Sequence, residues 1–176
     1  MSTFELRKRL VEIAKKDVGQ METSRNQGPA IKKFWDSVTY KDGYKDGYKD
    51  RQPYCAAGVS YWVDKWLEDA EVLKAFKMNR EEAEKWRCKS ARVFDWEDWA
   101  KTKGLLVMND KQHNILHTGD IMVFDMSHIG VVETDFDTYV KTVEANTGAT
   151  GGRDGDGIFE KVRARSLAKC FIRLLP

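Results

Sequence analysis

The order of helical and strand-like patterns along the chain predicts an α+β fold. Apolar residues recur at helical spacing as far as Gly104, whereas short apolar runs separated by turn residues follow from residue 105 onward. Helices that come first, followed by strands joined by short turns, favour N-terminal helices packed on one antiparallel sheet. The 176 residues are enough for one domain with its own core, so a single domain over residues 1–176 is expected.

The helical part of the chain divides into five predicted segments. Thr3 is a possible cap for the first, Pro29 opens the second, and Ser90 is a possible cap for the last. The third segment begins at Cys55 and carries apolar residues on one side, which marks its buried face. The predicted helical ranges are 3–18, a short helix after residue 28, 55–68, 69–90 and 91–101.

The strand-like part begins after Gly104 and is interrupted by one glycine-rich stretch. The stretch from Gly148 to Gly157 contains, besides glycine, only alanine, threonine, arginine and aspartate and has no apolar run, so it is predicted to be a loop. The runs on either side alternate in the manner of strands and suggest an antiparallel meander. The predicted strand ranges are 105–108, 119–124, 128–134, 139–145 and 169–174.

Composition excludes several classes of protein. Thirty basic residues against 28 acidic ones give a net charge of +2, which is too balanced to indicate a nucleic-acid partner, although a pI near 8.3 is compatible with an anionic polymer. Three cysteines fit neither a disulfide framework nor a metal motif, which favours synthesis in a reducing compartment. Neither a secretory signal nor an apolar stretch of about 18 residues is evident, so no membrane span is expected and delivery would need another route.

Cys55 is the most informative residue because of its local setting. A proline and an aromatic residue, Pro53 and Tyr54, lead into this cysteine at the start of a predicted helix. A helix N-terminus favours negative charge and therefore the thiolate, which is the reactive form of cysteine. A reactive thiol is the functional interpretation, and a small buried apolar side chain is the structural alternative.

Three downstream residues supply the partners that a reactive thiol needs. His128 begins one predicted strand, and Glu144 and Asn146 lie on the next, where alternation places both on the same face. If these strands pair, either side chain can hydrogen-bond the imidazole and fix its tautomer. Backbone N–H groups at the start of the Cys55 helix would stabilise an oxyanion, which completes the arrangement of a thiol hydrolase.

These residues, in this order, resemble the CHAP family of cysteine, histidine-dependent amidohydrolases and peptidases, which is related to NlpC-type cell-wall peptidases and to papain-like folds. The resemblance covers roughly residues 5–175 and implies a papain-like arrangement of helices and sheet. It implies Cys55 as nucleophile, His128 as general base and Glu144 as the orienting residue, with Asn146 as an alternative or helper. The motifs that carry it are Pro53-Tyr54-Cys55-Ala56-Ala57-Gly58-Val59-Ser60, Gly119-Asp120-Ile121-Met122-Val123-Phe124, His128-Ile129-Gly130-Val131-Val132 and Glu144-Ala145-Asn146-Thr147.

The activity that the resemblance implies is hydrolysis of an amide bond in peptidoglycan. The bond would be either the one between the lactyl group and L-alanine or a peptide bond of the stem or cross-bridge. A monomeric lysin of phage or prophage origin is expected, made in the host cytoplasm and acting on the wall or periplasm after release or delivery. The alternatives are an amidase of small peptide conjugates, a secreted antibacterial effector, and a catalytically inactive virion or binding module.

A tandem Lys-Asp-Gly-Tyr repeat over residues 41–48 precedes the cysteine and is predicted to be a polar loop. Some family members bind calcium through aspartates before the cysteine, and carboxylates suit that cation. The lysines of the repeat would repel it, so no cofactor is required and calcium is only a possibility. The candidate calcium ligands are Asp42, Asp46 and Asp50, and the tyrosines placed to line a substrate groove are Tyr44, Tyr48 and Tyr54.

Two further features have weaker functional interpretations. His113 and His117 are four residues apart, but turn signals surround them and no third ligand is evident, so a metal site is not expected. Glu22 and Asn26 lie in the loop before the second helix and are candidates for the wall of the cleft.

Overall fold

Six α-helices, one 3-10 turn at Arg165–Leu167 and a six-stranded antiparallel sheet make up the fold, as seen in a computed structural model that describes residues 1–39, 47–108, 115–149 and 155–175. This confirms the α+β class and the antiparallel sheet. The strand order is β1-β6-β2-β3-β4-β5. The helices are α1 Thr3–Lys15, α2 Pro29–Trp35, α3 Cys55–Trp66, α4 Ala70–Phe76, α5 Arg80–Trp86 and α6 Val93–Lys103. The strands are β1 Leu106–Met108, β2 Ile121–Phe124, β3 His128–Asp135, β4 Tyr139–Thr147, β5 Gly157–Ala164 and β6 Ala168–Ile172.

The predicted charged helix over 69–90 is wrong in one respect, because the chain forms two helices there. Lys77 adopts a left-handed conformation with φ 54° and ends α4. Asn79 then caps α5, and its side chain and that of Glu82 form a reciprocal capping box. The helix predicted from residue 91 begins at Val93, with Arg92 as its N-cap residue. The Ser90 hydroxyl donates to the Asp95 carboxylate over 2.6 Å and accepts from the Arg92 N–H over 3.1 Å.

Strand β5 is the element that the sequence pattern does not predict. Its apolar residues do not mark its buried face, because Val162 is exposed while its neighbour Arg163 is buried. Its partner is β4, with Glu144 opposite Phe159 and Ala145 opposite Ile158. Strand β5 begins at Gly157, and residues 150–154 of the predicted glycine-rich loop lie outside the described residues.

Both faces of the sheet are covered by buried apolar side chains. Along β2, Ile121 and Val123 belong to the large cluster that includes the helices, whereas Met122 and Phe124 belong to a smaller cluster with Phe171. The alternation follows from the period of two residues in a strand. Within the described residues, no helix is long and apolar enough to cross a membrane.

Two indole hydrogen bonds orient α3 against α1. Trp62 donates to the Asp17 carboxylate over 2.9 Å, and Trp66 donates to the Leu6 carbonyl over 2.8 Å. Asp17 is buried and also pairs with Lys33, so its charge is compensated. The bonds fix the rotation of α3 and therefore the direction in which its first residue points.

Helix α3 approaches the sheet most closely at Gly58. A Cβ atom on this glycine would lie 2.8 Å from the Cβ of Ala145 on β4, a distance that packed atoms do not adopt. The absence of a side chain at Gly58 therefore lets the first turn of α3 lie directly on β4. This contact brings Cys55 to the part of the sheet that carries His128 and Glu144.

Candidate active site

Cys55 is the first residue of α3 and follows the N-cap residue Tyr54, so it lies at a helix N-terminus as predicted. The first intrahelical hydrogen bond runs from the Gly58 N–H to the Tyr54 carbonyl, over 2.8 Å. The N–H groups of Cys55, Ala56 and Ala57 therefore lack an intrahelical acceptor. They place the positive end of the helix dipole next to the thiol.

His128 and Glu144 form a buried pair on adjacent strands. The imidazole Nε2 lies 2.9 Å from Glu144 Oε2, and both side chains are fully shielded from solvent. Because Nε2 faces the carboxylate, Nδ1 is the nitrogen available to a second partner. Nδ1 has no hydrogen-bond partner among the residues that the structure describes, while the Cys55 thiol is close enough to change the pKa of the ring.

Cys55 and Glu144 together favour the protonated form of His128. Burial lowers the pKa of the imidazole, but the interactions with Cys55 and Glu144 outweigh it and raise the pKa to about 9, from an ordinary value of 6.5. The ring is therefore an imidazolium at neutral pH. This is the protonation state that a thiolate–imidazolium pair requires.

Arg163 and Thr142 donate further hydrogen bonds to the Glu144 carboxylate. The guanidinium donates from Nε to Oε1 over 2.9 Å and from Nη2 to Oε2 over 2.5 Å, and the Thr142 hydroxyl donates to Oε1 over 2.6 Å. Burial raises the pKa of this carboxyl, whereas Arg163 and His128 lower it to about 2. Glu144 thus remains a carboxylate over the whole physiological range of pH.

Gly130 makes room for the Glu144 side chain. The two residues lie opposite each other in the β3–β4 pairing. A Cβ atom on Gly130 would lie 2.7 Å from Cγ of Glu144 and 3.0 Å from the carbonyl oxygen of Val143. Glycine at this position therefore allows the carboxylate to cross β3 and reach the imidazole.

Asn146 lies at a β-bulge, and the structure corrects its predicted relation to Glu144. The register of β4 against β5 shifts between Ala145 and Thr147, and Asn146 adopts a left-handed conformation with φ 56°. Simple alternation, which would place Asn146 on the same face as Glu144, is therefore interrupted. Glu144 is the residue that bonds to His128, and the catalytic role of Asn146, whose side chain is buried, stays a prediction.

The two described tyrosines make structural contacts beside the cysteine. Tyr54 is fully buried, and burial followed by the nearby carboxylate of Glu22 raises the pKa of its hydroxyl well above the usual range. The Tyr48 hydroxyl accepts a hydrogen bond from the Gly28 N–H over 3.2 Å. The predicted contacts of both residues with substrate stay predictions, and Tyr44 lies outside the described residues.

The loop that carries Glu22 and Asn26 is tied to the segment that leads into Cys55. The Asn26 N–H donates to Glu22 Oε2 over 2.6 Å, and the Asn26 amide donates to the Arg51 carbonyl over 2.7 Å. This loop therefore lies against the residues that precede α3. The expectation that Glu22 and Asn26 form part of a cleft wall stays a prediction.

The predicted calcium loop is only partly described. Asp42 and Asp46 lie outside the described residues, as does His113, and Asp50 is exposed. The described part of the chain contains no group of three or more His, Cys, Asp or Glu side chains arranged to hold a metal ion. A calcium site therefore stays a prediction for the residues before Cys55.

The other two cysteines lie elsewhere and serve as internal comparisons. Cys88 and Cys170 are both buried and free of disulfide bonds. Burial raises the pKa of Cys170 to about 11, which makes it unreactive at neutral pH. Cys55 differs from Cys170 because a helix N-terminus and a histidine lie beside it.

Sequence reasoning missed Arg163, Thr142 and Gly130. The signal for Arg163 is indirect: a carboxylate predicted to be buried beside a histidine needs a cation or several hydrogen-bond donors. Thr142 lies two residues before Glu144 and so shares its face, which the alternation already indicates. Gly130 is visible as a glycine within an apolar strand, a pattern that marks a close approach of another group.

No family model, curated protein or solved structure gives a significant match to this chain. The functional interpretation of the site therefore depends on its own chemistry. That chemistry is a thiol at a helix N-terminus, an imidazole beside it, and a buried carboxylate that orients the imidazole and stabilises its protonated form.

Proposed function

We propose that this chain is a cysteine amide hydrolase of the CHAP type, with a papain-like arrangement of helix and sheet, and that its substrate is peptidoglycan. The observation that carries the proposal is the position of His128 between two partners. Its Nε2 lies 2.9 Å from Glu144, and Cys55 together with Glu144 raises its pKa to about 9. A histidine that is held by a carboxylate on one side and coupled to a thiol on the other is the basic unit of thiol hydrolases.

In the acylation step the Cys55 thiolate attacks the carbonyl carbon of the scissile amide and forms a C–S bond. The carbonyl oxygen becomes an oxyanion, which the free N–H groups at the start of α3 stabilise. The C–N bond then breaks, and the His128 imidazolium gives its proton to the departing amine. Glu144 keeps the ring oriented and compensates its positive charge while it is protonated.

In the deacylation step water attacks the thioester, and His128, now neutral, accepts a proton from it. The C–S bond breaks, a carboxylic acid is released, and the thiolate–imidazolium pair is restored. The same ring thus acts first as acid and then as base, which requires that it stays fixed throughout. Its full burial and its bond to Glu144 provide that fixation.

Peptidoglycan is proposed as substrate on the basis of the family resemblance, and a slightly basic pI of about 8.3 suits an anionic wall polymer. Both cleavage positions belong to this proposal: the bond to L-alanine next to the lactyl group, and a peptide bond of the stem or cross-bridge. A lysin that reaches the wall after release or delivery fits the same activity.

The test is clearance of a suspension of purified cell walls by the protein and its variants. We expect Cys55→Ala to reduce the clearance rate by about a thousandfold or more, because the nucleophile is lost. Cys170→Ala is the matched control, since it removes a buried thiol whose pKa burial raises to about 11, and this variant should retain activity. Equal clearance by wild type and Cys55→Ala would refute the mechanism.

Mass spectrometry of digested sacculi identifies the bond. Free stem peptides that begin with L-alanine indicate the amidase, and new amino termini within the stem or cross-bridge indicate the endopeptidase. Intact sacculi, combined with rapid and Cys55-dependent alkylation by a thiol electrophile, would keep the thiol chemistry and reject the proposed substrate.

A further inference from the structure

Arg163 and His128 bind the same carboxylate oxygen. Oε2 of Glu144 lies 2.9 Å from His128 Nε2 and 2.5 Å from Arg163 Nη2, while Arg163 Nε bonds to the other oxygen. The charge of one carboxylate is therefore divided between two cations. The two cations are separated by no more than two hydrogen-bond lengths, within a region that excludes solvent.

The guanidinium is held in place from several directions. It is buried, Nη2 also donates to the Thr147 hydroxyl over 3.1 Å, and its central carbon lies 5.6 Å from the centre of the Phe124 ring. Phe124 in turn contacts His128, with ring centroids 5.3 Å apart. A fixed cation at this position is part of the electrostatic environment of the imidazole.

The charged groups around His128 come from three elements. Cys55 faces it from α3, Glu144 from β4, and Arg163 stands behind Glu144 on β5. Cys55 as a thiolate and Glu144 both favour the imidazolium, whereas a nearby cation disfavours it. Arg163 therefore opposes two groups that would otherwise bind the proton more tightly.

We propose that Arg163 is a positioning residue that fixes the Glu144 carboxylate and limits its hold on the His128 proton, so that the imidazolium can still release that proton to a leaving amine. The consequence for catalysis rests on the proposed function, whereas the electrostatic effect on His128 does not. An acid whose proton is held too tightly transfers it slowly, because the best catalytic pKa lies near the working pH. A carboxylate without Arg163 would act on the ring with its full charge.

The direct experiment is an NMR titration of the His128 ring in the complete, reduced protein, with the signals assigned by comparison with His128→Gln. Arg163→Gln removes the charge and is expected to raise the His128 pKa by about one unit or more. Arg163→Lys keeps the charge and is expected to leave the pKa within about half a unit of wild type. Arg165→Gln is the matched control, because this arginine pairs with Asp135 at 3.1 Å and not with Glu144.

A higher His128 pKa in Arg163→Gln, with no change in Arg163→Lys and Arg165→Gln, supports the proposal. An unchanged or lower pKa in a folded Arg163→Gln protein overturns it, because Glu144 would then have either no coupling to Arg163 or no remaining bond to His128. If the neutral variant does not fold, Arg163→Lys decides, since a shift of more than about one unit in either direction contradicts the role of the charge.

The enzymatic readout separates this proposal from the proposed function. In Arg163→Gln the alkaline limb of the clearance profile should move upward by the same amount as the NMR pKa, and the rate below it should fall, with recovery in Arg163→Lys. A titration that follows the expectation in a protein that clears no cell walls supports the role of Arg163 and rejects the substrate. If wild type clears cell walls but the His128 pKa does not shift in Arg163→Gln, the substrate is supported and the role of Arg163 is rejected.

Discussion

Replacing Gly130 with alanine tests whether the close approach of two strands places the Glu144 carboxylate. The added Cβ would meet Cγ of Glu144 at 2.7 Å and the Val143 carbonyl oxygen at 3.0 Å. Cγ is near the base of the side chain and is confined between β3 and β5, so it cannot simply swing aside. The strain must therefore appear as a displacement of the carboxylate or of the strand.

The size of the effect follows from these distances. An ordinary contact needs about 3.4 Å, so Cγ must move by at least about 0.7 Å. A similar displacement of Oε2 would lengthen its 2.9 Å bond to His128 beyond the range of a hydrogen bond. Overpacking costs about 1–3 kcal/mol of stability. In the proposed mechanism, loss of the group that orients the His128 ring should reduce turnover by roughly 10²- to 10⁴-fold.

The measurements are the thermal midpoint, the rate of cell-wall clearance and the His128 pKa by NMR. The His128 pKa should fall from about 9 toward or below 6.5, because burial lowers this pKa and Glu144 would no longer raise it. Ile129→Val is the control, since Ile129 is buried on the same strand and its truncation costs about 0.5–1.5 kcal/mol without touching Glu144.

A Gly130→Ala protein that is destabilised like the control, but keeps wild-type turnover and an unchanged His128 pKa, would refute the role of Gly130 in placing Glu144. That outcome would mean that the strands separate to accommodate the methyl group while the carboxylate stays on the ring. A loss of turnover without any change in the His128 pKa would also contradict it, because the effect would then not pass through Glu144.

Three further predictions concern the same site and its support. Glu144→Gln should lower the His128 pKa, and it should destabilise the fold by about 3–5 kcal/mol because Arg163 is then buried without a counter-charge. A stable variant with an unchanged His128 pKa would contradict the pairing of Glu144 with Arg163 and His128. The pKa of His128 is raised from 6.5 to about 9 in the folded protein, so protonation of this ring contributes about 3 kcal/mol to the free energy of unfolding. This contribution is complete below pH 6.5 and is lost, together with clearance activity, as the pH rises through 9. Denaturant midpoints that do not decline between about pH 6 and 10 would argue against it. Trp62→Phe removes the indole bond to the Asp17 carboxylate and should cost about 1.5–3 kcal/mol while Cys55-dependent chemistry persists, as unfolding and clearance measured together will show.

Much of the helical part of the fold could be predicted from the sequence, because each helix carries its own signals. Apolar spacing predicted that α3 buries Val59, Trp62 and Trp66, and these side chains are buried. The division of 69–90 into two helices was missed because it depends on one left-handed residue, Lys77, which no pattern of apolar residues marks. Strand β5 was missed because a polar residue, Arg163, is buried on it while the apolar Val162 beside it is exposed. An alternation of apolar residues therefore does not mark its buried face.

The candidate site shows the same division. Local sequence was enough to place Cys55 at a helix start and His128 at a strand start, since turn residues and apolar periodicity act over a few positions. It left Glu144 and Asn146 as equal candidates, because strict alternation puts both on one face. The β-bulge at Asn146 interrupts this alternation, and Glu144 is the residue that bonds to His128. The bulge arises from the pairing of β4 with β5, which local sequence does not show.

The sequence by itself therefore determined the fold class, the order of most elements and the candidate site residues Cys55, His128, Glu144 and Asn146. Only the tertiary structure decided which carboxylate oxygen faces the imidazole, that Gly130 lets it do so, and that Arg163 shares it. The physical reason is distance along the chain. Periodicity and capping act between neighbours, whereas the charge and orientation of His128 depend on residues from separate helices and strands that only the packed fold brings together.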